Sequence, residues 1–335
     1  MKRRSTIADV ARAAGVSMMT VSRVMNDKPG VGEETRERIR QLAAEMDYHP
    51  SQIARSLATR QTSSIGLVVP DIANPFFAQI ARGAEDAAFE HNYNLFLINT
   101  AEDIEREIVA LASLLQKEID GIILCSSRLP PDDLESHIQS FPAVVLFNRE
   151  LGEPMPNVAT LNVNDRLGAL QAVRHFVAYG RRRIAIIAGP VTSISGQRRL
   201  DGYRVGLQEA QIIFDPGRLE HCEPTTEGGH AAATAILTRR PRVDAIFAFN
   251  DLVAVGVLQA CEDAGKKVPD DIAVIGADDI PIATMLRPQL TTLHIDLRAV
   301  GAQAMALVLA MIDGRANGAD SVYEITPELV IRESA

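Results

Sequence analysis

The chain has 335 residues, 47% of them apolar and 23% charged, which suits two or three soluble compact domains and leaves core size unrestricted. No apolar run approaches the roughly 18 residues that span a bilayer, and the basic start "MKRRSTIADV" leads into a mixed polar helix instead of an apolar signal core. That argues against a membrane or exported protein, and a cytoplasmic one is expected. The formal charge of −9 is unevenly spread: residues 1–61 hold eleven Lys or Arg against seven Asp or Glu, a surplus of +4, so the remainder carries −13. A small basic head on a large acidic body suits a protein whose head alone meets a polyanion. Cys125, Cys222 and Cys261 lie far apart with no CxxC spacing, as reduced structural thiols do.

The head reads as three short helices. Ile7, Val10, Ala11 and Ala14 recur at helical spacing, Gly15 stops that helix, and Ser17 can cap the next by accepting from its first free amides. Val21, Val24 and Met25 give the second helix a buried face. After "NDKPGVG", the stretch "EETRERIRQLAAEM" predicts a third helix, with acids in its first turn and Ile39, Leu42, Ala43 and Met46 on one face. Ala11, Gly15 and Val21 occupy the small, turn and branched positions at which a helix-turn-helix packs its two helices.

From Ser64 the pattern changes to alternating strands and helices. "IGLVVP", "YNLFLINT", "DGIILCSS" and "AVVLFN" read as buried strands with "PFFAQIARGAEDAAFEHN" and "REIVALASLLQKE" as helices between them. A second series runs through "RLGALQAVRHFVAYG", "RIAIIAGP", "RLDGYRVGLQEA", "DAIFAFN", "DLVAVGVLQACEDAG" and "IAVIGADD". Such βαβ alternation predicts parallel, doubly wound sheets covered by helices on both faces, and about ten strands in two similar groups predict two lobes. Ligands of such sheets bind beyond the carboxyl ends of the strands, so residues that end strands become the candidates.

Taken together, "TIADVARAAGVS", "TVSRVMN", "ETRERIRQLAAEMDYHPSQIARSLAT", "SIGLVVPDIANPFF", "RRLDGY", "AFNDLVAVGVL", "VPDDIAVIGADDI" and "PQLTTLHID", in that order, resemble the LacI/GalR family of bacterial transcriptional regulators over essentially the whole chain. The resemblance implies an all-α helix-turn-helix headpiece at 1–49, a hinge helix at 50–61, and an α/β core at 62–335 like a periplasmic binding protein. In that core the first lobe would take about 62–161 plus 293–323 and the second about 162–291 plus 324–335. It also implies a homodimer that binds palindromic double-stranded operator DNA, acts as a repressor, and answers to a small-molecule effector, most often a carbohydrate.

By that resemblance "PSQIARSLATRQ" is the hinge, Leu57 is a wedge for the minor groove and Arg55 sits beside it. A leucine can do this because the bent duplex gains contacts that offset partial unstacking. Thr6, Ser17, Thr20 and Ser22 are placed to contact phosphates, which fix register and carry little sequence information. Arg23 can present its fork to a guanine. At about 100° per residue, Met19, Ser22, Arg23 and Asn26 fall opposite the buried side of their helix. Met18 lies at the boundary, able to read DNA or to cover the core edge. The two methionines suit apolar contacts such as thymine methyls.

For the effector, the resemblance and the strand-end rule together single out Phe76 and Phe77 in "NPFFAQI", Asn148 and Arg149 after "AVVLF", and Asn164 at a lobe crossover. They add Ser193, Ser195 and Arg199 from "GPVTSISGQRRLDGY", Asn250 after "AIFAF" and Asp278 after "VIGA". Aromatic faces can stack on the ligand, carboxylate and amide acceptors face hydroxyls, and arginine donates. The histidines are scattered, neither HExxH nor GxSxG occurs, and "AGPVTSISG" lacks the lysine of a phosphate loop, so neither enzyme activity, nor a cofactor, nor a metal is expected. A solute-binding receptor shares the two-lobed fold, and a regulator with a protein co-effector shares the whole pattern; the basic head speaks against the first.

Overall fold

The computed structural model describes residues 5–48, 61–240 and 242–335. They divide into two compact units, residues 1–63 and 64–335.

Short polar residues set the helix starts in the head. Thr6 and Asp9 form a reciprocal capping box at α1 (Ile7–Ala14), with Thr6 Oγ1 2.7 Å from Asp9 Oδ2. Gly15, at φ 65, ends that helix in the left-handed conformation that a residue with a side chain rarely adopts. Ser17 Oγ then accepts from the Thr20 amide at 3.1 Å and starts α2 (Met18–Met25). Across the following loop, Asp27 accepts from Arg40 at 2.6 Å and tethers the loop to α3 (Glu33–Glu45). Val10, Ala11, Ala14, Val21, Val24, Ile39 and Ala43 are the buried centre of the three helices.

The second unit holds two six-stranded sheets. The first contains β1 (Ser64–Val69), β2 (Asn94–Asn99), β3 (Gly121–Cys125), β4 (Val144–Phe147), β5 (Val158–Val163) and β11 (Val322–Ile325). Its order is β11-β5-β4-β3-β1-β2, parallel throughout, with Ile65 beside Leu95 on one side and Gly121 on the other. The second contains β6 (Ile184–Ala188), β7 (Leu219–His221), β8 (Ala245–Ala248), β9 (Ala273–Ala277), β10 (Thr291–His294) and β12 (Glu328–Val330), in the order β12-β10-β9-β8-β6-β7. Here β12 runs antiparallel to β10, so the sheet is mixed at one edge.

Helices cover both faces of each sheet, which is why the central strands are apolar along their whole length. On the first sheet, α4 (Pro75–Glu90) and α12 (Leu297–Ile312) cover one face, and α5 (Ile104–Gln116) with α6 (Pro131–Ile138) the other. On the second, α7 (Asp165–Ala178) and α8 (Ile194–Glu209) lie opposite α9 (Thr226–Arg239) and α10 (Asp251–Asp263); a short α11 (Ile282–Met285) follows β9.

The chain passes between the sheets three times, between Val163 and Asp165, His294 and Leu297, and Ile325 and Glu328. Each passage lies two or three residues beyond the expected lobe boundaries. Pairing explains the shift: β5 stays in the first sheet through Val163, opposite Ile325, and Thr292–His294 stay in the second against β12. Among the described residues no helix is long and apolar enough to cross a membrane.

Candidate functional site

On α2 the buried residues Val21 and Val24 fix the phase of the rest. Met19 is 67% exposed and Met18 55%, and Met18 stands outside the apolar cluster of the head, so it does not cover the core edge. Arg23 and Asn26 are exposed too, Thr20 and Ser22 half-buried. The Arg23 guanidinium lies beside Gly30, and Asn26 donates to the Ser22 carbonyl at 2.8 Å. Thr6 and Ser17 are exposed helix caps, so two of the four hydroxyls expected at phosphates also start helices. Arg55 and Leu57 lie outside the described residues.

In the second unit, strand ends and helix starts of both sheets meet at one cleft. The first lobe contributes Asn74, Phe76 and Phe77 from the start of α4, Glu102 after β2, Ser126 and Arg128 after β3, and Asn148 after β4. The second contributes Ser193, Ser195 and Arg199 from the start of α8, Phe249 and Asn250 after β8, and Asp278 after β9. Eight of the ten expected residues are in this wall. Phe76 and Phe77 meet edge to face, ring centres 5.0 Å apart.

The polar groups differ in direction from the expectation. Asn74 Oδ1 accepts from the Phe76 amide at 3.0 Å, Asn148 Oδ1 from Val163 at 2.9 Å, and Asn250 Oδ1 from Val253 at 2.9 Å. Their oxygens already accept one backbone N–H each, so the carboxamides offer the cleft chiefly N–H donors. Arg199, expected to donate to the ligand, is committed to the protein. Its Nε lies 2.8 Å from Asp165 Oδ1, its Nη2 3.5 Å from Asp278 Oδ1, its Nη1 donates to the Phe249 carbonyl, and it stacks 5.1 Å over the Phe249 ring. Burial opposes its charge, but Asp165 and Asp278 together outweigh burial and hold it protonated. For Asp278 burial dominates: it pushes the carboxyl up to about 7, with Arg199 pulling down and Asp165 adding to the rise. This carboxyl can therefore accept or donate near neutrality.

Two expected residues do not join the wall. Arg149 is buried behind it, donating to the Leu129 carbonyl, with Nε unpartnered among the described residues. Asn164 caps α7 through the Leu167 amide at 2.9 Å and donates to Glu324 at 2.7 Å, tying two of the lobe passages together. In return the cleft gains Glu102 and Arg128, paired at 2.6 Å, and Ser126. Glu102, Ser126, Asn148 and Asp278 all have left-handed backbone, φ 60, 47, 53 and 106, so strain gathers at the strand ends that face the cleft. Among the described residues no cluster of His, Cys, Asp and Glu is placed to hold a metal ion.

Residues 6–51 match the lacI family of bacterial regulatory proteins, and residues 173–335 match a periplasmic binding protein-like domain. The ribose operon repressor of Halalkalibacterium halodurans is 37% identical over 98% of this chain and 97% of its own. The transcriptional regulator CelR in complex with cellobiose is 31% identical, with a TM-score of 0.74 over 99% of this chain and 100% of its own. The lac repressor dimer bound to operator and an anti-inducer is 27% identical, with a TM-score of 0.88 over 99% of each chain. On a helix-turn-helix head, two wound lobes and this likeness along its length, the chain belongs to the lacI family of bacterial regulatory proteins, which are DNA-binding transcriptional regulators and not enzymes.

Proposed function

We propose that this regulator is a repressor that binds a palindromic operator as a homodimer and is controlled by a neutral sugar in the cleft. The observation that carries the ligand class is the state of the charges. Both arginines of the wall are already paired, Arg128 with Glu102 and Arg199 with Asp165 and Asp278, so among the described residues the wall offers no unpaired cation to a phosphate. What is offered is three amide donors, the hydroxyls of Ser126 and Ser195, the Asp278 carboxyl and the rings of Phe76, Phe77 and Phe249. That set suits hydroxyls around an apolar sugar face. The ribose and cellobiose named with two relatives belong to the same class. Exposed Phe96 and Leu97 on the edge strand β2, with Phe89 on the adjacent α4, supply apolar surface for a second copy.

On α2, Met19 and Met18 supply apolar contacts and Arg23 the main polar reader, and by the family resemblance Leu57 is the wedge for the minor groove with Arg55 beside it. Effector and operator then bias one lobe arrangement against another, so each alters the affinity of the other by the same factor. Thermal shift against neutral sugars, sugar phosphates, nucleosides and free bases tests the ligand class. A neutral sugar at a hundredfold its Kd is worth about 2.7 kcal/mol and should raise the core's melting point by about 5–10 °C. A response confined to phosphates or bases, or none at all, would overturn the sugar; a silent panel would direct attention to a protein co-effector.

A further inference from the structure

Asp251 opens α10 and is fully buried, yet it is absent from the cleft wall. Both of its oxygens are taken. Oδ2 accepts the backbone N–H of Ile280 at 2.9 Å, and Oδ1 accepts the Thr292 hydroxyl at 2.5 Å. Gly276 in β9 makes the room, since a Cβ there would collide with Asp251 Oδ1. Burial, and then the neighbouring Asp278, push the Asp251 carboxyl well above its ordinary value. A group held there is destabilising unless its hydrogen bonds offset the loss of water.

The object it grips is the turn between β9 and α11. Asp278 and Asp279 both have left-handed backbone, φ 106 and 50, which persists only where the surroundings over-determine it. Asp278 faces the cleft and Arg199. Asp279 is fixed by Arg332 at 2.6 Å and His294 at 2.9 Å. Ile280, 1% exposed, is buried in the apolar cluster of the first lobe instead of its own, with Leu252 and Ile282 at the margin. One short turn therefore bears a cleft carboxyl at one end and a plug into the opposite lobe at the other.

We propose that Asp251 is the positioning residue of this turn: by holding the Ile280 amide, it makes the aim of Asp278 depend on the seating of Ile280 in the first lobe. A ligand that draws on Asp278 thereby acts on the contact between the lobes. The link to ligand rests on the cleft being the effector site; the link between Asp251 and the turn does not.

Hydrogen–deuterium exchange on the full chain without ligand, comparing wild type with Asp251→Ala, Asp251→Asn and Ile280→Ala, separates the two. In Asp251→Ala the segment 278–283 should exchange about tenfold faster or more, while β8 and β9 keep their protection. In Asp251→Asn, Oδ1 can accept from Ile280 and the amide can donate to Thr292, so protection returns. Ile280→Ala leaves Asp251 in place but empties the plug, and should loosen the same segment together with the first-lobe residues around Leu297. Unchanged exchange at 278–283 in Asp251→Ala overturns the proposal. So does opening of β8 and β9 along with the turn, as expected of a merely structural carboxyl, or an Asn variant as loose as the Ala one. Calorimetric titration with D-ribose accompanies it: binding weakened about tenfold in Asp251→Ala and recovered in Asp251→Asn supports the link to ligand, and equal affinity in wild type and Asp251→Ala overturns it. If wild type takes no ribose, that result counts against ribose as effector, and exchange alone decides the role of Asp251.

Discussion

Replacing Asp278 by asparagine should stabilise the folded core at alkaline pH while removing the carboxyl on which a sugar would draw. The carboxyl stands at about 7 in the folded chain against an ordinary value of 3.8, raised by burial. Between those two values the unfolded chain has released this proton and the folded chain has not, so each unit of rising pH costs the fold about 1.4 kcal/mol. Over the whole interval the loss is on the order of 4 kcal/mol, about 3 of it between pH 5 and pH 8, and above 7 it stays constant. Asparagine has no proton to lose, and Arg199 remains paired with Asp165 at 2.8 Å, so the substitution strands no cation. Melting curves of wild type and Asp278→Asn at pH 5 and pH 8 should diverge by about 5 °C, the variant gaining at pH 8. Parallel pH profiles would refute the burial argument. Sugar binding that needs the ionised carboxyl should also tighten as pH rises through about 7, with proton release visible as buffer-dependent heat.

Met19→Ala should change the operator bases selected from a random library while the head melts as before, because the side chain is 67% exposed; Met18→Ala should cost less than about 0.5 kcal/mol for the same reason. Arg198 on α8 reaches across to the first lobe, 2.8 Å from Glu150 and 3.2 Å from Asn162. Because Glu150 is largely exposed, Arg198→Ala should weaken effector binding only about two- to fivefold, and the difference from wild type should shrink as salt is added. Gly301→Ala would drive a methyl into the Ile80 carbonyl where α12 crosses α4, at a cost of about 1–3 kcal/mol, whereas Gly152→Ala points into open space and should leave the melting point unchanged.

The parts legible in the sequence are those whose signals are local. Helix caps at Thr6 and Ser17, the stop at Gly15 and the apolar runs of β1, β3, β6 and β9 are written in a few adjacent residues. β7, β11 and β12 are three or four residues long, partly exposed, and exist because a distant strand offers them an edge. β10, "TTLH", owes its place to β9 and β12 on either side and not to its own pattern. At the cleft, the strand-end rule found Asn148, Asn250 and Asp278, and applied equally to the residues after β2 and β3 it would have found Glu102 and Ser126. It could not tell Asn148 from Arg149: the left-handed backbone at Asn148 turns the chain, so one residue faces the cleft and the next lies behind it. Nor could it show that Arg199 is held by two carboxylates that are remote in sequence.

The three passages between the sheets make the two specificities of this regulator unequally portable. A single junction near residues 63 and 64 separates the head from the core, so recombination can give the core a new operator with one join. A lobe cannot be exchanged that way, because α12 and β11 belong to the first sheet's lobe and β10 and β12 to the second, interleaved along the last part of the chain. Replacing one lobe needs three joins in register, and its cleft residues must still meet those of the other lobe. New operators are thus within reach of gene shuffling, while a reshaped cleft has to come by substitution along its wall.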